Sequence, residues 1–522
     1  MKTVEVFALF LLCLYSIGAP LSLSTSTVSG QAMLWAMRYD YGPSSYQDIG
    51  WSVRKTRDGG YIVGTEALWR EGGPNIGLIK LDADGNIGWQ RSYHRTLEDR
   101  FASLQIASDA GYILAASGGE VVQTSPYTED WDLSILKLDM DGNIDWQSVY
   151  GTTNDGPYGA TVLETRDGGY LLAGGAMGWS FFIKLDAERR IQWQRRYWGI
   201  WGATQATSDG GYIALLAEEM SSRSGALAKL DPDGNVQWVK TYDRTVGLRS
   251  MQQTEDGGII LAGYITADCP TCEDALKWQT DVSVLKVDSE GEIQWQRAYG
   301  GPRYDAATRV LQTLDGGYAV LGYTDSDYLE ISGDGDVWLI KLDGDGNIEW
   351  QRTYGRQSTP DTRYEEKAFS MQQTADGGYV VAGVACSQGT VEAGGCDVMV
   401  LRLDAEGNIP KCTLIGSARS AVDVTNITVA VGSLTADPSP SRLDLTPVAA
   451  HTAETTETNA TAVLECSYTP RLATEMITPE TIVFACVAIV GVAASVIVFK
   501  WMRGRRALAH KINNTRQNAT TT

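Results

Sequence analysis

The sequence has little positive charge and almost no histidine for a chain of 522 residues. Lys and Arg together number 43 against 64 Asp and Glu, so the formal net charge is −21. Nucleic acids require a basic contact surface, and an acidic chain of this kind therefore excludes them as partners.

The scarcity of histidine also restricts catalysis. The three histidines are His94, His451 and His510. A Ser-His-Asp or Cys-His centre cannot be assembled around one histidine in the body of the chain, so we expect the protein not to be an enzyme. Hydrolysis by carboxylates alone stays open, because acidic residues are plentiful.

Long hydrophobic runs are missing except at the two ends. The run Val6 to Ile17 follows Lys2 and precedes small and polar residues, which predicts a secretory signal peptide over 1–24. The leader places the following chain outside the cytoplasm.

The second run, Thr481 to Phe499, carries no charge and spans roughly 28 Å as a helix. Arg503 and Arg505 follow it. The charge asymmetry predicts a single transmembrane helix over 480–500, a short basic cytoplasmic tail over 501–522 and an ectodomain outside the cell. The membrane is therefore a predicted partner.

Six of the eight cysteines fall between the leader and the span, in an oxidising compartment. Their positions suggest three local disulfides: Cys269–Cys272, Cys386–Cys396 and Cys412–Cys466. Fifteen connectivities are formally open. For Cys269 and Cys272 the alternative is half of a zinc site or a redox pair, but the chain has no second CxxC motif.

Two short signatures each occur seven times. Copies of "DGGY" or a close variant begin 42 to 61 residues apart, at Asp58, Asp109, Asp167, Asp209, Asp256, Asp315 and Asp376. Copies of Leu-Asp followed by a turn, six of them ending in tryptophan, begin at Leu81, Leu138, Leu185, Leu230, Val287, Leu342 and Leu403. Each unit divides into four strand-like segments, A to D, with alternating apolar residues. The pattern predicts an all-β, seven-bladed β-propeller over 32–412, with a solenoid as the alternative.

The seventh unit has no fourth strand, because Pro410 stands where a ladder donor is needed. The segment Met33 to Gly42 matches the fourth strand of other units, with Trp35 and Tyr39 in register. We therefore predict that the N-terminal strand completes the last blade and closes the ring.

The repeats "DGGYVVAG" and "DVWLIKLDGDGNIEWQRTYG" resemble a family of secreted repeat propellers common in archaea and some bacteria. That resemblance implies a Thr-rich segment between two cysteines after the ring, followed by a membrane anchor. The Ser/Thr-rich composition of 413–470 independently predicts a stalk, with glycosylation sequons at Asn426 and Asn459. The alternative is a small β-module closed by Cys412–Cys466.

The motif D-x-D-G-N, at Asp82, Asp139, Asp231 and Asp343, resembles the first half of a calcium loop. The downstream ligands are absent, however, and another copy has become "DAERR". We interpret the motif as a plain turn between strands C and D, and we predict no metal.

The tryptophan that follows this turn resembles the docking motif of quinoprotein propellers that bind pyrroloquinoline quinone. The chain lacks their adjacent cysteines and an evident central acidic cluster, so no cofactor is predicted. The tryptophans are instead expected to pack between blades. They are Trp35, Trp89, Trp146, Trp193, Trp238, Trp295 and Trp350.

Length variation falls in the B–C and D–A connections, which lie together on one face of the ring, here called the loop face. The A–B and C–D turns form the opposite turn face. Variable loops on a rigid scaffold commonly carry binding residues. Candidates are Trp69, Tyr127, Trp131, Trp278, Asp325, Asp327, Tyr328 and Glu330.

These features together predict a cell-surface binding or adhesion protein whose loop face binds a glycan, a cell-wall component or another protein. The alternative is an exported carboxylate glycosidase, or a quinoprotein dehydrogenase, that uses the propeller channel.

Overall fold

The structure is a computed structural model. It describes residues 33–409 except 41–44, 70–73, 95–97, 122–128, 152–157, 177–178, 199, 220–221, 243–245, 267–279, 302, 326–334, 356–361 and 390–394, together with six short strands between 415 and 468. The predicted leader, transmembrane span and basic tail lie outside this part, as do Cys269, Cys272, Cys412, Asn426 and Asn459. Among the described residues, no helix is long and apolar enough to cross a bilayer.

The chain forms seven antiparallel sheets, each built from four strands of the repeat. Blade 1 contains β2 (Ser45–Lys55), β3 (Tyr61–Trp69), β4 (Pro74–Leu81) and β5 (Ile87–His94). Blade 2 contains β6 (Glu98–Ile106), β7 (Tyr112–Val121), β8 (Glu129–Leu138) and β9 (Ile144–Gly151). Blade 3 contains β10 (Tyr158–Glu164), β11 (Tyr170–Ala176), β12 (Trp179–Leu185) and β13 (Ile191–Trp198), and blade 4 contains β14 (Ile200–Ala206), β15 (Tyr212–Glu219), β16 (Ser222–Leu230) and β17 (Val236–Tyr242).

The remaining blades follow the same order. Blade 5 contains β18 (Val246–Gln253), β19 (Ile259–Thr266), β20 (Thr280–Val287) and β21 (Ile293–Gly300); blade 6 contains β22 (Asp305–Gln312), β23 (Tyr318–Thr324), β24 (Asp336–Leu342) and β25 (Ile348–Tyr354); blade 7 contains β26 (Thr362–Gln373), β27 (Tyr379–Gly389), β28 (Gly395–Leu403) and the N-terminal strand β1 (Leu34–Asp40).

The first strands of the seven blades contact one another in sequence around the ring, and β26 contacts β2 to complete the circle. These inner strands surround the central channel. Most of the buried apolar clusters combine residues of neighbouring blades, so the core lies largely between sheets. The predicted seven-bladed propeller of four-stranded antiparallel blades is confirmed.

The N-terminal strand closes the ring as the sequence predicts. β1 pairs antiparallel with β28, with Trp35 opposite Arg402 and Tyr39 opposite Val398. Blade 7 is therefore assembled from both ends of the propeller sequence. The Cys386–Cys396 disulfide is also confirmed, at directly opposite positions of β27 and β28.

The two sequence signatures meet through an ion pair in every blade. The residue before each Leu-Asp is a buried cation on strand C, and it contacts the Asp of the A–B turn. The lysine Nζ to carboxylate distances are 2.7–2.9 Å in six blades. The pairs are Lys80–Asp58, Lys137–Asp109, Lys184–Asp167, Lys229–Asp209, Lys286–Asp256, Lys341–Asp315 and, in blade 7, Arg402–Asp376.

The two glycines of "DGG" have different physical roles. The first has a positive φ, as in Gly168 at +77°. The second has no room for a side chain, because a Cβ at Gly169 would lie 2.1 Å from the Leu185 carbonyl oxygen and 2.8 Å from the Lys184 ammonium. Blade 2 shows the distinction, since it has Ala110 at the first position, with φ 75°, and keeps Gly111 at the second.

In the C–D turns the first aspartate of the D-x-D-G-N motif accepts hydrogen bonds from later residues of the same motif. Asp82 Oδ1 accepts hydrogen bonds from the backbone N–H groups of Asp84 and Asn86, and Oδ2 accepts one from the Asn86 amide. Both carboxylate oxygens therefore stabilise the turn. This geometry accounts for D-x-D-G-N as local turn chemistry.

The seven tryptophans lie between neighbouring blades. Trp89, for example, covers Gly142 of the next blade so closely that a Cβ there would lie 2.7 Å from the indole. Edge-on contacts with a tyrosine of the next blade occur at six sites: Trp35–Tyr61, Trp89–Tyr112, Trp146–Tyr170, Trp193–Tyr212, Trp295–Tyr318 and Trp350–Tyr379. At the seventh, Trp238 packs in the cluster that contains Ile259.

A tyrosine four residues after each tryptophan hydrogen-bonds to the next blade. Its hydroxyl donates to a C–D turn carbonyl at 2.5–3.0 Å. The bonds are Tyr39 to Gly85, Tyr93 to Gly142, Tyr150 to Arg189, Tyr197 to Gly234, Tyr242 to Gly291, Tyr299 to Gly346 and Tyr354 to Gly407. The series is unbroken around the ring.

The chain after the ring forms a belt, defined here by the six strands between 415 and 468. β29 (Ile415–Gly416), β30 (Asp423–Thr425), β31 (Val431–Ser433), β32 (Thr446–Pro447), β33 (Glu454–Glu457) and β34 (Thr461–Tyr468) pair with the outer strands of blades 6, 5, 4, 2, 1 and 7 respectively. These strands run back around the ring and belong to the same compact unit, Ala32–Tyr468.

Composition predicts a stalk for 413–470, or a small β-module closed by Cys412–Cys466. Only the six belt strands of this segment are described, so both interpretations stay predictions. The belt pairing itself needs little from the side chains, because an exposed outer strand offers unpaired backbone donors and acceptors, which a segment of almost any composition can satisfy. β34 pairs with β1 over Leu34 to Asp40, so the closing strand is bonded on both edges.

We expect the two glycines of one turn to respond differently to alanine. Gly168→Ala should cost roughly 1–2 kcal/mol of unfolding free energy, because only the positive φ is strained. Gly169→Ala should cost at least about 3 kcal/mol, because the added Cβ meets a backbone carbonyl. Urea denaturation of the two variants tests this, and equal costs would show that the close approach is not a constraint.

The ion pairs predict a loss of stability in acid. Burial alone would raise the pKa of the turn aspartates, but hydrogen bonds from Lys, Thr and Gly N–H lower it, to about 2 for Asp167, Asp209 and Asp256. An aspartate whose pKa is lower in the folded protein than in the unfolded chain stabilises the fold at pH values above its unfolded pKa, which is near 3.8. This contribution is lost as the pH falls toward about 2.

We therefore expect the free energy of unfolding to decline between about pH 4 and pH 2. Lys184→Met should reduce stability at pH 7 by about 1–3 kcal/mol, the usual value of a charge-assisted hydrogen bond. It should also flatten the decline in acid. Circular dichroism melts across this range measure both effects, and an unchanged acid profile in the variant would contradict the assignment.

Candidate functional site

Each inner strand carries a β-bulge, and the bulged residues differ around the ring. They are Trp51, Ala102, Gly159, Gly202 with Ala203, Arg249, Thr308 and Phe369. Bulges re-aim side chains and are common next to binding sites. Blades 2 to 4 have small residues here, whereas blades 1, 5 and 7 have large ones, so the inner wall is asymmetric.

The most exposed of these large residues, Arg249, lies among tyrosines. Its guanidinium carbon is 5.0 Å from the ring centroid of Tyr264 and 6.0 Å from that of Tyr323. Arg249 Nη1 donates to the Tyr323 hydroxyl at 3.3 Å. Tyr304 stacks on Tyr323, with ring centroids 5.6 Å apart and an interplanar angle of 19°. We call these four residues the Arg249 cluster.

Local features of blades 5 and 6 build the cluster. Tyr264 and Tyr323 occupy the same position of strand B, near its end at the loop face. The five other blades have Glu66, Ser117, Gly175, Ala217 and Val384 there. The Tyr264 ring lies over Gly247, where a Cβ would come within 2.3 Å of it. Glycine at this point of the inner strand is therefore required for the aromatic surface.

Asp325 adjoins this cluster. Its backbone N–H donates to the Tyr304 carbonyl at 3.0 Å. Burial raises the pKa of Asp325, and the negative charge of Asp305 raises it further. Burial and a hydrogen bond with Tyr304 raise the pKa of Tyr323 to about 12, so its hydroxyl stays protonated at neutral pH.

A second aromatic group lies between blades 1 and 7. The rings of Trp51 and Phe369 are tilted against each other at 4.5 Å. Both pack on the cluster that contains Cys386, so the disulfide helps to fix the aromatic pair. Trp51 Nε1 is buried and has no hydrogen-bond partner among the described residues.

Only one of the eight predicted loop-face residues, Asp325, has a described side chain. Trp69 ends β3 and Trp131 lies in β8, opposite Gly119, so their backbones are placed at this face. Their side chains lie outside the described part. Tyr127, Trp278, Asp327, Tyr328 and Glu330 lie outside it entirely. Their binding role stays a prediction.

Among the residues that the structure describes, one group of carboxylates has the spacing to hold a cation. Asp40, Asp48 and Asp397 offer oxygens within 4.8 Å of one another. Arg38 Nη1, however, contacts Asp397 Oδ2 at 2.7 Å and already supplies positive charge. The arrangement is compatible with a structural ion pair network.

The sequence patterns point to the longest loops, and the Arg249 cluster lies outside those loops. The signal was nevertheless present. Alignment of the seven units by their turns places Tyr264 and Tyr323 opposite small, aliphatic or acidic residues of other blades.

Comparison with known proteins leaves the function open. No protein-family model matches the chain, and no curated protein matches it. Solved structures with similar folds include a streptogramin B lyase, at 13% identity and TM-score 0.39, covering 71% of this chain and 99% of that one. A xylan β-1,4-xylosidase from Bacillus halodurans is 11% identical, with TM-score 0.27, covering 79% of this chain and 98% of its own.

A third structure, Drosophila plexin A in complex with semaphorin 1b, is 7% identical, with TM-score 0.32, covering 59% of this chain and 78% of that one. At such identities and scores, none of these likenesses carries an argument about activity or ligand.

Proposed function

We propose that the protein is a cell-surface binding protein whose loop face binds a glycan through the Arg249 cluster. The observation that carries this proposal is an exposed guanidinium among three partly exposed tyrosines at that face. The predicted leader and membrane span would hold the ring outside the cell, as a single-pass membrane protein.

The chemistry of the cluster suits a sugar. Tyrosine rings offer flat apolar faces for sugar C–H groups, and their hydroxyls offer hydrogen bonds at the edge. Arg249 uses one of its five N–H donors on Tyr323, and the others can reach hydroxyl or carboxylate oxygens of a ligand.

The scaffold supports binding without rearrangement. Seven tyrosine bonds join neighbouring blades, and the Cys386–Cys396 disulfide links β27 to β28. A site on such a frame loses little entropy when it binds. This rigidity is the reason to favour binding over a mechanism that needs domain closure.

The alternative function is hydrolysis by carboxylates. It is favoured by the raised pKa of Asp325, because a carboxyl that acts as a general acid needs a pKa above its ordinary range. No turnover is expected under the binding proposal. A cofactor-dependent dehydrogenase gains no support from the described residues.

Binding of full-length protein to a glycan array tests the proposal. Arg249→Ala and Tyr323→Ala should each weaken binding to the recognised glycan about tenfold, which corresponds to ~1.4 kcal/mol. Arg166→Ala is the matched control, because Arg166 is an exposed arginine on the turn face. Equal binding by all variants, or no saturable binding to any glycan, would refute it. Polysaccharide turnover that Asp325→Asn abolishes would favour the hydrolase.

A further inference from the structure

Two arginines of the inner strands approach the same point of the channel wall. Arg54 lies on β2 of blade 1 and Arg309 on β22 of blade 6, with β26 of blade 7 between those strands. Arg54 Nη1 lies 3.4 Å from Ser370 Oγ. Arg309 Nε donates to the carbonyl of the adjacent residue, Phe369, at 2.9 Å.

Neither guanidinium has a carboxylate partner in the described part of the chain. Arg54 Nη1 donates to its neighbour's carbonyl, Val53 O, at 2.9 Å, and the remaining contacts are the hydroxyl and carbonyl of β26. The strand C cations provide the contrast, because Lys80 and its six counterparts each contact an aspartate. An uncompensated charge with restricted access to water is costly unless it is paired, so two together call for a counterion.

The positive charges of Arg54 and Arg309 repel each other. Burial lowers the pKa of Arg54 to about 10, with a further contribution from the positive charge of Arg309. Burial also lowers the pKa of Arg309. A guanidinium keeps its proton at neutral pH in proteins, so both groups carry positive charge. The channel wall therefore concentrates two positive charges in a chain whose net charge is −21.

The donors that remain are suited to an oxyanion. A guanidinium has five N–H groups in a planar fork, and Arg54 and Arg309 use only Nη1 and Nε respectively. Both side chains are only partly buried, so ions in the channel can reach them.

We infer that Arg54 and Arg309 form an oxyanion-binding site in the central channel. Its ligand class is a phosphate, a sulfate or a carboxylate, held by paired guanidinium forks beside β26. The inference is independent of the glycan proposal, because it involves none of the Arg249 cluster and can hold whether or not the loop face binds sugars.

Calorimetry and thermal melting of the full-length protein in nonionic detergent test the site. Sodium phosphate, sodium sulfate and sodium glucuronate are the probes, each compared with sodium chloride at equal ionic strength. We expect at least one oxyanion to bind and to raise the melting midpoint, followed by tryptophan fluorescence. The probe that binds most tightly shows whether the site prefers a phosphate, a sulfate or a carboxylate.

Arg54→Gln and Arg309→Gln should each weaken that binding about tenfold or more, and the double variant should abolish it. Arg166→Gln, at an exposed arginine of the turn face, serves as the control and should bind as the unmodified protein does.

Stability gives an independent readout. Without an oxyanion, removing one of two like charges should raise the melting midpoint, whereas loss of a purely structural hydrogen bond would lower it. A lower midpoint in both single variants, or anion binding unchanged in the double variant, would overturn the inference. Absence of binding by all three probes would do so as well.

Discussion

The hydrogen bond from a tyrosine hydroxyl to the turn carbonyl of the next blade is the interaction on which the ring depends. It occurs at all seven junctions, including the one where Tyr39 of the N-terminal strand reaches Gly85. The tryptophan four residues earlier can pack beside this bond only because the turn residue lacks a Cβ or adopts a positive φ. A repeat must therefore keep tryptophan, tyrosine and turn together, which explains why its signature is so short and so regular.

Much of this architecture could be predicted from sequence because it is periodic. Alternating apolar residues define the strands, the glycine turns define the hairpins, and the orphan strand around Trp35 indicates closure. The ion pair between Lys80 and Asp58 was not predicted, although both residues stand inside the two signatures. The spacing of the signatures alone does not reveal that the Lys80 side chain, on strand C, reaches the turn between strands A and B.

The belt and the site could not be predicted for a different reason. β34 pairs with β1 through backbone atoms, which impose little on side chains, so a Ser/Thr-rich segment looks like a stalk. Arg249, Tyr264 and Tyr323 stand out only when blades are compared position by position. The repeated residues serve the frame, and residues that depart from the repeat give blades 1, 5, 6 and 7 their chemical character.

Hydrogen–deuterium exchange of the N-terminal strand tests ring closure most directly. β1 is bonded to β28 on one edge and to β34 on the other, so amides from Leu34 to Asp40 should exchange as slowly as those of β27 in the same blade. Fast exchange throughout β1 would contradict the closed ring. Protection of only every second amide of β1 would show that β1 is paired with β28 and is not paired with the belt strand β34.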